Sequence, residues 1–242
     1  MNLFHSLPDW SIMTNHAGAK RHCCVNVVTM RSIRSFLVLA GLMITLIGCG
    51  ASSDQEMEIP LAIWSSSTST SDTPEGAARS AVQSLIGVTP VLGDYMAGDN
   101  RSGEMLVFSP GETTPVERSL LLLRQLGSDD QWSVIGAINA AMTIDRPEAR
   151  SVVPADVLTV SGRGRGFEGL VVVSAHRIGD DIELIDQKIA MGGSLERSEP
   201  FVVELDLSEA DPGDVIAIVV RGGVGLEDDP GEFSAIPIRI GP

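Results

Sequence analysis

Cysteine is nearly absent from the chain: its 242 residues contain Cys23, Cys24 and Cys49 and no other. The stretch after Cys49 therefore cannot form a disulfide within itself. Histidine is equally scarce there, because His176 is the only one of four that follows Cys49. A nucleophile needs a base within reach, and Gly-x-Ser-x-Gly is missing too. His176, late in an apolar run, reads as a structural or surface residue. Positive charge is also in short supply. Residues 1–48 hold four of the 17 basic and one of the 32 acidic side chains, leaving 13 against 31 from Cys49 onward, a net charge of −18. That surface repels phosphate backbones and anionic head groups, which excludes non-specific nucleic-acid binding. Finally, the apolar run Phe36–Ile47 covers about a dozen residues where a membrane span needs roughly 20.

What surrounds that short run is informative. Met30-Arg31-Ser32-Ile33-Arg34-Ser35 supplies a positive lead-in, and the run closes on Leu46-Ile47-Gly48-Cys49. A basic segment, a short apolar core and Leu-x-Gly-Cys in that order resemble the signal peptide and lipobox of bacterial lipoproteins. The resemblance implies cleavage before Cys49 and a diacylglyceryl group on its sulfur. The remaining chain is then expected on the outer face of the cell membrane, held by acyl chains that anchor durably only when more than one is present. Residues 1–29 are polar and mixed, and translation is expected to start at Met30, the upstream stretch being an over-long start or a disordered extension.

From Cys49 to Asp72 the chain reads as a lipidated cysteine followed by a flexible Ser/Thr-rich tether. Ile59–Trp64 is an apolar island within it that could dock on the protein or touch the membrane interface. Residues 73–147 are expected to form a small α+β module. Thr73-Pro74-Glu75 is a helix start, Ala78, Val82, Leu85 and Ile86 recur at helical spacing, and Gly87 closes the helix. Strands are expected at Glu104–Ser109, Ser119–Leu126 and Trp132–Ile144, separated by Pro-Gly and Gly-Ser-Asp-Asp punctuation.

Residues 148–242 are expected to be all-β. In Phe201–Leu207, Phe201, Val203, Leu205 and Leu207 alternate with Glu204 and Asp206, as in a half-buried strand. Leu170–Ala175 and Val215–Val220 are continuous apolar runs that suit central strands, and Asp211-Pro212-Gly213-Asp214 suits a type II turn. With Val157–Ser161, Ile182–Ala190 and Ser234–Ile240 these make the six or seven short strands of an immunoglobulin-like sandwich. The motif Val160-Ser161-Gly162-x-Gly-x-Gly166-Phe167-Glu168-Gly169, with Glu199-Pro200-Phe201 later, resembles the bacterial spore-germination immunoglobulin-like domain. That resemblance covers about residues 150–240 and implies an extracytoplasmic β-sandwich on envelope proteins.

Candidate chemistry is thin. Gly162-Arg163-Gly164-Arg165-Gly166 lacks phosphate-loop spacing and precedes a strand rather than a helix, so it reads as a glycine-rich bend. Arg163 and Arg165 could meet an acidic glycan or protein. Phe167 is expected to plug the end of the sandwich while Glu168 satisfies backbone donors at the corner, with a contact role for Glu168 as the alternative. Asp180-Asp181, Asp211/Asp214 and Glu227-Asp228-Asp229 read as solvated turns, without the spacing of a calcium loop. No cofactor and no metal is expected. The expected function is non-catalytic binding or scaffolding at the envelope, toward a cell-wall polymer or another envelope protein. The alternatives are a carboxylate-based hydrolase of cell-wall glycan and a calcium-dependent adhesin.

Overall fold

A computed structural model describes residues 61–65, 72–111, 114–127, 129–223 and 225–242. The expected extension 1–29, the signal peptide 30–48, Cys49 and most of the tether to Asp72 lie outside the described residues.

Helix α1 (Pro74–Ile86) begins and ends where its sequence signals stand. The Thr73 side chain accepts a hydrogen bond from the Gly76 amide at 3.1 Å, Pro74 occupies the first turn, and Gly87 (φ +84°) closes the helix in the left-handed region. Its buried face carries Ala77, Ala78, Ala81, Val82 and Ile86, mostly small side chains that let the helix lie close on a sheet.

The rest is mostly antiparallel β-structure in a sandwich-like arrangement. The strands are β1 (Val91–Leu92), β2 (Met96–Asp99), β3 (Ser102–Phe108), β4 (Glu117–Leu126), β5 (Gln131–Ile138), β6 (Thr143–Arg146), β7 (Val152–Val153), β8 (Val157–Gly164), β9 (Leu170–Ile178), β10 (Glu183–Met191), β11 (Glu199–Asp206), β12 (Val215–Gly222) and β13 (Glu232–Ile240). A large sheet runs β1-β3-β4-β5-β13-β12-β9-β10, with β2 added on β3 and β7 lying parallel to β13. A small sheet runs β11-β8-β6.

The large sheet buries both of its faces at its centre. Ile216, Ile218 and Val220 of β12 join Ile238 and Ile240 of β13, and Val171, Val173 and Ala175 of β9, against Val160, Phe201 and Leu205 of the small sheet. On the opposite face Ala217, Val219, Phe233 and Ala235 join Met105, Leu121, Leu123 and Val134 under α1. That double burial is why β12 shows an apolar run instead of alternation. β11 has one face in the core and one in solvent, with Phe201 and Leu205 buried while Val202, Glu204 and Asp206 are exposed.

Two expectations need correction here. Residues 73–147 do not form a separate α+β module, because β5 pairs with β13 at Ala137↔Ala235 and the core under α1 draws on both halves of the chain. Trp132–Ile144 is not one strand. The Asn139 carboxamide oxygen accepts from the Ala141 amide at 2.7 Å and the Met142 amide at 3.1 Å. This local turn ends β5 and sends β6 into the small sheet, where it pairs with β8. Of the apolar island, whose place between protein and membrane the sequence leaves open, the described residues 61–64 dock on the protein. Ile63 and Trp64 are buried, both amides donate to the Val134 carbonyl (2.9 and 3.2 Å), and the Val134 amide donates to Trp64 at 3.0 Å.

Candidate functional site

The loops β8–β9, β10–β11 and β12–β13 meet at one end of the sandwich through backbone hydrogen bonds. The Gly166 amide donates to Gly193 at 3.0 Å, Phe167 to Gly223 at 2.7 Å, Gly192 to Gly169 at 2.7 Å and Gly193 to Gly164 at 2.9 Å. Glycine is required where backbones approach this closely. A Cβ on Gly162 would lie 1.9 Å from the Thr143 carbonyl oxygen of β6, and one on Gly222 would lie 1.9 Å from that of Arg165. The glycine-rich motif is thus a close crossing of strands.

The arginines of that motif go separate ways. Arg163 is exposed on β8 and donates through Nη2 to the Ser198 carbonyl at 2.8 Å. Arg165 is half-buried and grips Glu232 at the start of β13 with two bonds, Nε to Oε2 at 2.7 Å and Nη2 to Oε1 at 2.6 Å. Donating those bonds to Glu232 raises the guanidinium pKa further above its already high ordinary value. Glu168 is exposed, at φ +55° in the short 3₁₀ turn Phe167–Gly169. Phe167 does not plug the sandwich end: its ring lies over Gly225 and is 49% exposed. Met191 (66%) and Leu226 (61%) add exposed apolar surface on the loops and strand ends here.

Arg165 and Glu232 also form one wall of a cleft of about 230 Å³. Its floor is the face of β3, β4 and β5 opposite α1, where Leu106, Leu120 and Ile138 are cross-strand neighbours. Ala140, Ala141, Asn139, Ser119 and Glu117 complete the lining. Most of the polar groups are engaged within the protein. Ser119 Oγ donates to the Ile138 carbonyl at 3.3 Å, and Asn139 Nδ2 donates to the Arg118 carbonyl at 2.8 Å. Of Arg163, Arg165 and Glu168, only Arg165 lines this cleft. Glu117 and Glu232 carried no local sequence signal, since neither stands in a motif and Arg165 lies 67 residues from its partner.

Behind the cleft is a buried ionic cluster. The extra residue of a bulge in β4 is Arg118, which donates through Nη2 to Asp229 Oδ2 at 2.7 Å. Asp229 is 1% exposed, so it does not belong to a solvated turn as its sequence suggests. Its other oxygen accepts from the Gly231 amide at 2.8 Å, and its carbonyl accepts from Arg221 Nη2 at 2.9 Å. Arg221 Nη1 reaches the last carbonyl of α1, Ile86, at 3.2 Å, where a cation suits the helix dipole. Asp214 is likewise committed, accepting from Arg177 Nε at 2.9 Å and the Asp211 amide at 3.0 Å. Asp180, Asp181, Glu227 and Asp228 are exposed. Among the described residues no cluster of three or more His, Cys, Asp or Glu side chains is placed to hold a metal ion. No described helix is long and apolar enough to cross a membrane.

No protein-family model matches this chain, and no solved structure matches it significantly.

Proposed function

We propose that the chain is a lipid-anchored protein of the bacterial cell envelope. Its sandwich, of the immunoglobulin-like kind carried by spore-germination proteins, binds a cell-wall polymer or another envelope protein without catalysing a reaction. The anchoring half of this reading rests on the basic segment, short apolar core and Leu46-Ile47-Gly48-Cys49 in series. The binding half is carried by one observation: Phe167, Met191 and Leu226 stay exposed on the loop cluster at the end of the sandwich, and Arg165 of the same cluster lines a cleft. Exposed apolar side chains together with a preformed concavity suit recognition.

A carboxylate-based hydrolase would have to draw on Glu117 and Glu232, which line the same cleft. Glu232 has both oxygens on Arg165, which leaves it poorly placed to carry a proton to a leaving group. A calcium-dependent adhesin would need loop carboxylates that converge on one point, whereas Asp214 and Asp229 face arginines.

The test is site-specific photocrosslinking in intact cells. A photoreactive residue at Phe167 is expected to capture a discrete envelope component, while the same group at Asp180, on the β9–β10 turn, captures none. Equal capture from both positions, or none from Phe167, would overturn the binding reading.

A further inference from the structure

We propose that the cleft between β3–β4–β5 and the Arg165–Glu232 pair receives a lysine side chain from a segment of a partner protein. This rests on reading the sandwich as a binding module and names what that module recognises. The cleft contains two carboxylates, Glu117 and Glu232, and one guanidinium, Arg165, so it carries one uncompensated negative charge. Arg165 is saturated on one side by Glu232, and the hydroxyl of Ser119 and the carboxamide of Asn139 are held by backbone groups. Glu117 is the ionic group left without an ion pair among the described residues, and it stands at the exposed end of the cleft.

The floor sets the rest of the ligand. Leu106, Leu120 and Ile138 form an apolar row across three strands, and Ile138 is more than half exposed. A ligand that satisfies both floor and charge has an aliphatic stem ending in a cation, which is the architecture of lysine. An anionic ligand would meet the surplus carboxylate and the net charge of −18 that follows Cys49. A purely apolar ligand would leave Glu117 beside it without a partner and partly dehydrated. The same negative field steers a basic segment toward the sandwich from a distance, an effect that weakens as salt is added.

The experiment uses the mature, lipidated protein in detergent micelles and three blocked tripeptides: Ala-Lys-Ala, Ala-norleucine-Ala and Ala-Glu-Ala. Methyl resonances of Leu106, Leu120 and Ile138 report on the floor. The lysine peptide is expected to shift them saturably, and the norleucine and glutamate peptides to bind at least about two- to fivefold more weakly, the effect of losing one solvent-exposed charge contact. Glu117→Gln is expected to weaken the lysine peptide by a similar factor with an unchanged melting temperature, because Glu117 is exposed and makes no structural bond. Equal binding of lysine and norleucine peptides, shifts that map elsewhere, or an unaltered affinity in Glu117→Gln would overturn the assignment. Crosslinking from Phe167 that still captures an envelope component in such a case would leave the binding reading standing and remove only this ligand.

Discussion

Replacing Asp229 with asparagine is expected to cost about 3–5 kcal/mol of folding stability, the range for removing one partner of a buried ion pair. Asp229 is 1% exposed and the Arg118 side chain 11%, so both charges are largely shielded from water in the folded state. The carboxylate faces Arg118 Nη2 at 2.7 Å and the Gly231 amide at 2.8 Å. Asparagine can keep the amide bond, but it turns an NH₂ or a weaker acceptor toward a guanidinium that has nowhere else to go. Arg118 Nε is already buried without an acceptor, as is Arg221 Nε, so the cluster holds no spare bonds to reorganise around the loss. The pair also joins β4 to the β12–β13 loop across 111 residues, and its failure loosens the junction between the two halves of the large sheet. Urea unfolding of the variant measures the effect. Arg118→Met combined with Asp229→Leu is expected to recover part of it, because removing both charges leaves only the Gly231 amide without its acceptor. A loss below about 1 kcal/mol in the single variant would contradict this account.

A second large effect concerns pH. His176 lies in β9, 8% exposed, with Nε2 at 2.9 Å from Ser174 Oγ, and burial pushes its pKa down from 6.5 to about 4. Above pH 6.5 the imidazole is neutral in both the folded and unfolded chains, and its contribution to stability is fully present. Between pH 6.5 and about 4 the unfolded chain binds a proton that the folded chain refuses. Stability therefore falls as pH falls through this window, by on the order of 3 kcal/mol in total. His176→Gln keeps a polar group beside Ser174 and removes the titration. The expected result is a urea midpoint that declines less steeply in the variant than in the wild type between pH 6.5 and 4.5. Carboxylates contribute equally to both proteins and cancel in the comparison. Parallel declines would show that His176 is not held neutral by burial.

Local signals were legible wherever one element decides its own form. Thr73-Pro74 and Gly87 bracket α1 because capping is settled within a few residues. The apolar runs of β9 and β12 mark strands covered on both faces, and the alternation of β11 marks a strand covered on one. What could not be read is decided at long range. No local pattern announces that β5 will meet β13 about a hundred residues later, so the sequence suggests two modules where one sheet joins both halves of the chain. β6 leaves the large sheet because of a single carboxamide at Asn139, a signal smaller than the apolar run it interrupts. Asp229 looked like one more acid in a solvated turn. Its burial depends on Arg118 arriving from a bulge in β4, which the sequence of the turn does not contain. The cleft has the same origin: Arg165, Glu232 and Glu117 become neighbours through topology alone, and of the three only Arg165 stands in a sequence motif.

An envelope role requires that the chain be carried outside the cell and fastened there, and mass spectrometry of native protein purified from membranes tests this most directly. The expected result is a mature chain beginning at Cys49, its sulfur carrying a diacylglyceryl group, with residues 30–48 removed. An unmodified thiol at Cys49 in a cytosolic protein that still carries Phe36–Gly48 would contradict it.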